Sequence, residues 1–375
     1  MKNILLYPLT YEVLSLIRSE NFTSNYDKVM VSTYKGSGLN GVDCCFLDSG
    51  EETGIVVDED FEILVEASDE VVLYENTKDI EYVSDLAQKR KYAESKGKKV
   101  FLISNEANDI SSKEKEFFDS LQKIQIEIAS QSCIKVEAED FIEIEGLVDI
   151  TVPIVGIVGN ADNVGKFELQ LQMKDELSER GYKVAVISSN RLCEFVGAYS
   201  FPKFMIEKQY SDKMKVLLFN RFLRYIELAD DPDLIIVSVP GGIMPSTRRI
   251  VGDFGTLAYK TFKAVAPDYM ILSMNFETYT NEYFEELEKF VKYNYGCELN
   301  AIKIKNSKTD WEDAEVTNKG SLLSYTINRS IIDNLIDQFD ENLGLVFVTS
   351  AKESVSELID NVEEELEANE AVLVF

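Results

Sequence analysis

The chain has 375 residues, 45% of them apolar, too long for one ordinary domain and enough to fill two cores. Its 38 Lys and Arg against 67 Asp and Glu leave a formal charge of −29, a balance that repels nucleic acid and anionic lipid surfaces. It holds no histidine, which excludes Ser-His and Cys-His nucleophile pairs, His-ligated metals and imidazole acid–base chemistry.

The five cysteines (Cys44, Cys45, Cys133, Cys193, Cys297) show no zinc pattern, no disulfide framework and no iron–sulfur spacing. Cys44-Cys45 has no activating helix or basic neighbour in the sequence and reads as reduced thiols. The apolar start Ile4-Leu-Leu-Tyr is one strand long, and no later run approaches a membrane span. A cytoplasmic protein with no nucleic-acid or membrane partner is expected, and self-association stays open.

In chain order, strand Asn3–Tyr7, helix Tyr11–Ser19 (Val13, Leu14 and Ile17 on one face) and strand Lys28–Tyr34 form a βαβ start. Gly36-Ser-Gly38-Leu-Asn-Gly41 follows and matches the dinucleotide string, with Asp58, Glu59 and Asp60 downstream. The stretch Val42–Gly50 carries no helical stripe, so the string predicts a glycine-rich turn. Strand Glu70–Glu75, helix Tyr82–Ser95, strand Lys99–Ser104 and a polar helix near Ser112–Gln122 complete a Rossmann-like domain over 1–127.

Residues 128–152 change pattern. Ile134 to Glu145 alternates apolar and acidic residues, which predicts an exposed edge strand or hairpin joining the domains, with its carboxylates solvated.

The second domain, 153–375, opens on Ile154-Val-Gly-Ile-Val-Gly159-Asn-Ala-Asp-Asn-Val-Gly165-Lys166-Phe167: strand, polar loop, helix start. Such a loop turns backbone N–H groups inward, the helix N-terminus adds a positive dipole end, and the lysine adds a mobile charge for phosphate oxygens. Gly159, Asn160, Asp162, Asn163, Val164, Gly165, Lys166 and Phe167 are therefore the first candidate nucleotide contacts. The loop has five residues between its glycines where the common pattern has four, and Phe167 stands where Ser or Thr would hold Mg²⁺.

The helix Lys166–Arg180 stops at Gly181, and strand Lys183–Ser188 delivers Ser189, Asn190 and Arg191 to what would be the same sheet edge. Strand Asp233–Ser238 leads to Pro240-Gly241-Gly242. Ser238 and Val239 occupy the place of the usual magnesium-holding acid, while Gly241 and Gly242 allow close backbone approach and Arg248 or Arg249 could neutralise phosphate. Strand Tyr269–Asn275 presents Asn275 for base or ribose. Strands Leu299–Ile304 and Leu345–Thr349 and helices Ser330–Phe339 and Val355–Glu367 complete a parallel P-loop NTPase-like sheet.

The wide loop Gly159–Lys166 resembles that of dethiobiotin synthetases and related two-domain P-loop proteins. Tyr34–Asp43, Gly159–Phe167 and Val237–Pro245 together resemble the clostridial peptide maturation system proteins, over essentially the whole chain. That resemblance implies an accessory role in ribosomal peptide maturation beside a precursor peptide, a radical maturation enzyme or an acyl-carrier-related protein. ATP or GTP is the cofactor expected at the second domain, with Mg²⁺ disfavoured by Phe167. Two alternatives follow: an ATP-dependent enzyme activating a carboxyl group, and a non-catalytic scaffold presenting peptide or carrier protein.

Overall fold

The computed structural model describes residues 2–75, 80–104, 110–121, 146–311, 324–339 and 343–372. The chain is α/β, with two parallel sheets flanked by helices.

In the first sheet, β1 (Lys2–Tyr7), β2 (Tyr26–Ser32), β3 (Val57–Asp58), β4 (Glu70–Glu75) and β5 (Lys99–Ser104) pair in the order β3-β2-β1-β4-β5. Ile4 to Tyr7 of β1 are buried throughout, as a central strand covered on both faces requires. The Thr10 hydroxyl starts α1 (Tyr11–Arg18) by accepting from the Val13 N–H at 3.2 Å. A short α2 (Glu20–Thr23), α3 (Phe61–Ala67), α4 (Ile80–Ser95) and α5 (112–121) follow. The glycine string is an exposed turn, with Gly36, Gly38 and Gly41 all at positive φ and only a short 3₁₀ turn, Cys44–Leu47, behind it.

In the second sheet, β6 (Ile154–Gly159), β7 (Val184–Ser188), β8 (Tyr199–Ser200), β9 (Leu234–Ser238), β10 (Tyr269–Asn275), β11 (Ala301–Lys305) and β14 (Val346–Val348) run in the order β14-β11-β10-β6-β9-β7-β8. β12 (Ser307–Thr309) and β13 (Ser324–Thr326) form a separate antiparallel ribbon. One face of the sheet carries α6 (Lys166–Glu179) and the C-terminal helix Lys352–Val372; the other carries α7 (Asp212–Asp230), α8 (Thr256–Ala264) and α9 (Asn281–Tyr295). β6 is central and wholly buried, so the loop after it leaves the sheet between β9 and β10.

Two features depart from the expected division. The helix over 112–121 packs on the second domain: Phe117 is buried against Phe204 and Phe222, and Glu114 accepts from the N–H groups of Lys203 (2.9 Å) and Phe204 (3.1 Å). The two sheets also share a core. α1 buries Leu16 as well as Val13, Leu14 and Ile17 because it lies against α6, where Asp175 accepts from the Ser19 hydroxyl at 3.1 Å and from Asn21. The acidic alternation 134–145 lies outside the described residues. Among the described residues no helix is long and apolar enough to cross a membrane.

Candidate phosphate-binding site

The loop between β6 and α6 is wound tightly enough to exclude a side chain at its base. A Cβ on Gly159 would stand 2.7 Å from the Ala161 carbonyl oxygen and 3.1 Å from the Lys166 ammonium, so only glycine fits there. Asn163 and Gly165 both take the left-handed conformation, at φ of 59° and 82°, and Gly165 delivers the chain into α6.

Neighbouring strands hold this shape from outside. The Asn160 N–H donates to the Ser273 carbonyl at 3.1 Å, and the Ser273 hydroxyl donates to the Val164 carbonyl at 2.6 Å. From β11, Lys305 donates to the Asn163 carbonyl and Lys303 to the Gly165 carbonyl, each at 3.0 Å. Lys303 is 0% exposed and pairs with Glu168 at 2.5 Å, which in turn accepts from the Ser350 hydroxyl at 2.8 Å. Burial pushes the Glu168 carboxyl up, but the Lys303 charge and hydrogen bond outweigh it and hold the group below its usual range. Carbonyls that would face outward from the loop thus find ammonium partners, as buried polar groups must.

A second segment closes the loop from above. The Ile243 N–H donates to the Gly159 carbonyl at 2.8 Å, and a Cβ on Gly242 would meet the Asn160 carbonyl oxygen at 2.8 Å. The Gly241 carbonyl accepts from the Lys166 ammonium at 2.5 Å. Lys166 is 6% exposed, and burial pushes its pKa down to about 8 against the opposing pull of Asp162 and Asp253.

Phe167 turns away from the loop into the core it shares with Leu171, Val355 and Leu358. Ser238 closes β9 opposite Ile157, fully buried, and its hydroxyl has no hydrogen-bond partner. Asp253 is engaged in starting α8, where it accepts from the N–H groups of Gly255 (3.0 Å) and Leu257 (2.8 Å). Among the described residues no cluster of three metal-ligating side chains occurs.

The remaining sequence candidates are not gathered at the loop. β7 is separated from β6 by β9, so Ser189, Asn190 and Arg191 stand two strands away. Asn190 caps the turn Arg191–Val196 through the Leu192 N–H and donates to the Tyr74 hydroxyl at 2.9 Å, tying the domains together, while Arg191 pairs with Glu194 at 3.2 Å. Asn275 donates to the Thr309 hydroxyl at 2.8 Å and accepts from Ser307 at 3.0 Å, which commits its side chain to the β12 strand. Arg248 and Arg249 lie at the surface. Gly159 to Lys166, Gly241 and Gly242 are the candidates that the fold brings together.

Sequence reasoning missed Lys303, Lys305 and the stacked pair Tyr279–Tyr283, whose rings lie 5.3 Å apart. The lysines left one signal. Lys303 and Lys305 alternate with apolar residues in a strand that is buried on both faces, where a lysine needs a partner.

No family model and no curated protein matches the chain. A crystal structure of a DUF1611 family protein from Anabaena variabilis is similar with a TM-score of 0.54 and 10% identity, over 95% of this chain and 100% of that one. At that identity the likeness concerns the fold alone. A nucleotide-binding protein from Archaeoglobus fulgidus, solved with ADP, matches with a TM-score of 0.27 and 13% identity over 55% of this chain and 85% of that one, too weak to carry an argument.

Proposed function

We propose that the second domain binds the phosphates of ATP or GTP in the loop Gly159–Lys166. One observation carries this: the Lys166 ammonium is buried at the mouth of a helix N-terminus and, among the described residues, hydrogen-bonded to a single carbonyl. A lysine with three donors and so little water gains most from an incoming anion, and the loop N–H groups and helix dipole favour the same charge. Tight packing at Gly159 and Gly242, where a Cβ would meet the loop's own atoms, holds the loop in one shape around its N–H groups.

Turnover is expected to be slow or nil. Phe167 is committed to the core, and Ser238 offers a hydroxyl where phosphoryl transfer draws on a carboxylate-held metal. The resemblance in Tyr34–Asp43, Gly159–Phe167 and Val237–Pro245 supports a setting in ribosomal peptide maturation, with the nucleotide-bound protein acting beside the precursor peptide, a radical enzyme or an acyl-carrier-related protein.

Photo-crosslinking with 8-azido-ATP tests the site. Labelled peptides should come from the second domain and be protected by excess ATP or GTP. Labelling concentrated at Gly36–Gly41 would place the nucleotide in the first domain and refute the assignment.

A further inference from the structure

The segment that closes the phosphate loop has a second face. Gly241 and Gly242 touch the loop, but Ile243, Met244 and Pro245 line a cleft of about 510 Å³ on the other side, between α7, α8 and α9. That volume is within the range of small-molecule sites. Its walls are apolar: Val216 from α7 and Phe290 and Tyr295 from α9 face the segment.

The rim is unusual in two ways. Phe254 is 63% exposed and held at φ 59°, a left-handed conformation that a bulky residue rarely takes, and it stands with Tyr259 beside the opening. The rim is also cationic on a chain of net charge −29. Lys213 and Lys260 line the cleft, with Lys260 paired to Asp212 at 3.2 Å. Asp212 also lines the cleft and offsets Lys260, so Lys213 leaves the lining with one positive charge in surplus.

We infer that this cleft binds an anionic amphiphile, a carboxylate on an aryl or acyl body: the body enters between Ile243, Val216 and Phe290, and the carboxylate meets Lys213 and Lys260 at the rim. An apolar interior with a local surplus of cations selects that combination over a neutral or cationic ligand of the same size. The site does not draw on nucleotide binding: Ile243 meets the loop through its backbone N–H to the Gly159 carbonyl, while Lys213, Val216, Lys260 and Phe290 come from α7, α8 and α9.

The test uses the full-length protein without nucleotide. The probe is 1-anilinonaphthalene-8-sulfonate, displaced in turn by decanoate, 3-phenylpropionate, decanol and decyltrimethylammonium. Decanoate or 3-phenylpropionate should displace the probe at least tenfold more effectively than decanol, and the better of the two tells acyl from aryl. The double variant Lys213→Glu/Lys260→Gln should weaken the preferred carboxylate at least about tenfold, since both charge-assisted contacts at the rim are lost. Val216→Trp, which fills the cleft, should abolish displaceable binding in protein whose thermal melt remains cooperative. Equal displacement by decanol and decanoate, or retention of full affinity in both variants, would overturn the inference. If Val216→Trp fails to fold, the surface variant Lys213→Glu/Lys260→Gln decides alone.

Discussion

The Lys166 ammonium lies 2.5 Å from the carbonyl oxygen of Gly241, which joins the loop after β6 to the segment after β9 through a charged hydrogen bond with almost no water around it. Burial, which the bond only partly offsets, makes Lys166 costly. Its pKa of about 8 is below the 10.5 of an unfolded lysine, so between these values the unfolded chain holds more protons. The full penalty is therefore present below pH 8 and is relieved as pH rises toward 10.5.

Lys166→Met should consequently stabilise the protein at pH 7. After allowance for the orphaned Gly241 carbonyl, the gain is about 2 kcal/mol. Urea denaturation at pH 7 and pH 10 checks it. The gap between variant and wild type should shrink at the higher pH, and a variant less stable at pH 7 would mean that burial of the lysine carries no net cost.

Phe167→Thr would put a hydroxyl in the position where related loops hold Mg²⁺. The side chain at 167 points into the core, so the substitution should lower stability by about 3 kcal/mol and leave nucleotide affinity independent of Mg²⁺. Denaturation curves and titrations with and without EDTA measure both effects.

Lys303→Met should destabilise by about 3–5 kcal/mol, because the largely buried Glu168 would lose the charge that offsets its burial. Adding Glu168→Leu should recover much of that loss. A double-mutant cycle in urea that gives additive losses would show that the two groups do not depend on each other.

Gly242→Ala places a methyl group 2.8 Å from the Asn160 carbonyl oxygen and must lift the covering segment off the loop. We expect ATP affinity to fall about tenfold, equivalent to roughly 1.4 kcal/mol, together with a lower thermal midpoint as the bonds of Gly241 and Ile243 to the loop are strained. Unchanged affinity would show that the segment 241–243 takes no part in binding.

Much of the fold was legible because its strands are short apolar runs between breakers. Glu70–Glu75, Lys99–Ser104 and Tyr269–Asn275 fall where the sequence puts them. The loop Gly159–Lys166 was legible for the same reason, since its glycines and lysine act through backbone geometry that spacing alone encodes. Partnerships across long sequence separations were not. Phe117 and Phe118 mark an apolar face, but nothing in 112–121 says that Phe204 and Phe222 will cover it. Asn190 and Asn275 carry side chains suited to a ligand, yet Tyr74 and Thr309 claim them, and those partners are fixed only by how strands and domains meet. Lys303 is illegible in the same way, because its acid lies 135 positions away in Glu168.

The central claim is that the loop is a phosphate cradle built on Lys166, and isothermal titration of ATP and GTP into wild type and Lys166→Met at pH 7 addresses it directly. Wild type should bind one of the two nucleotides, and Lys166→Met should lose about ten- to a hundredfold in affinity, the value of a charge-assisted contact of roughly 1.5–3 kcal/mol, while keeping its fold. Affinity in wild type should also decline above pH 8, where Lys166 loses its proton. Absence of any heat of binding in wild type at millimolar nucleotide, or equal affinity in the variant, would contradict the account.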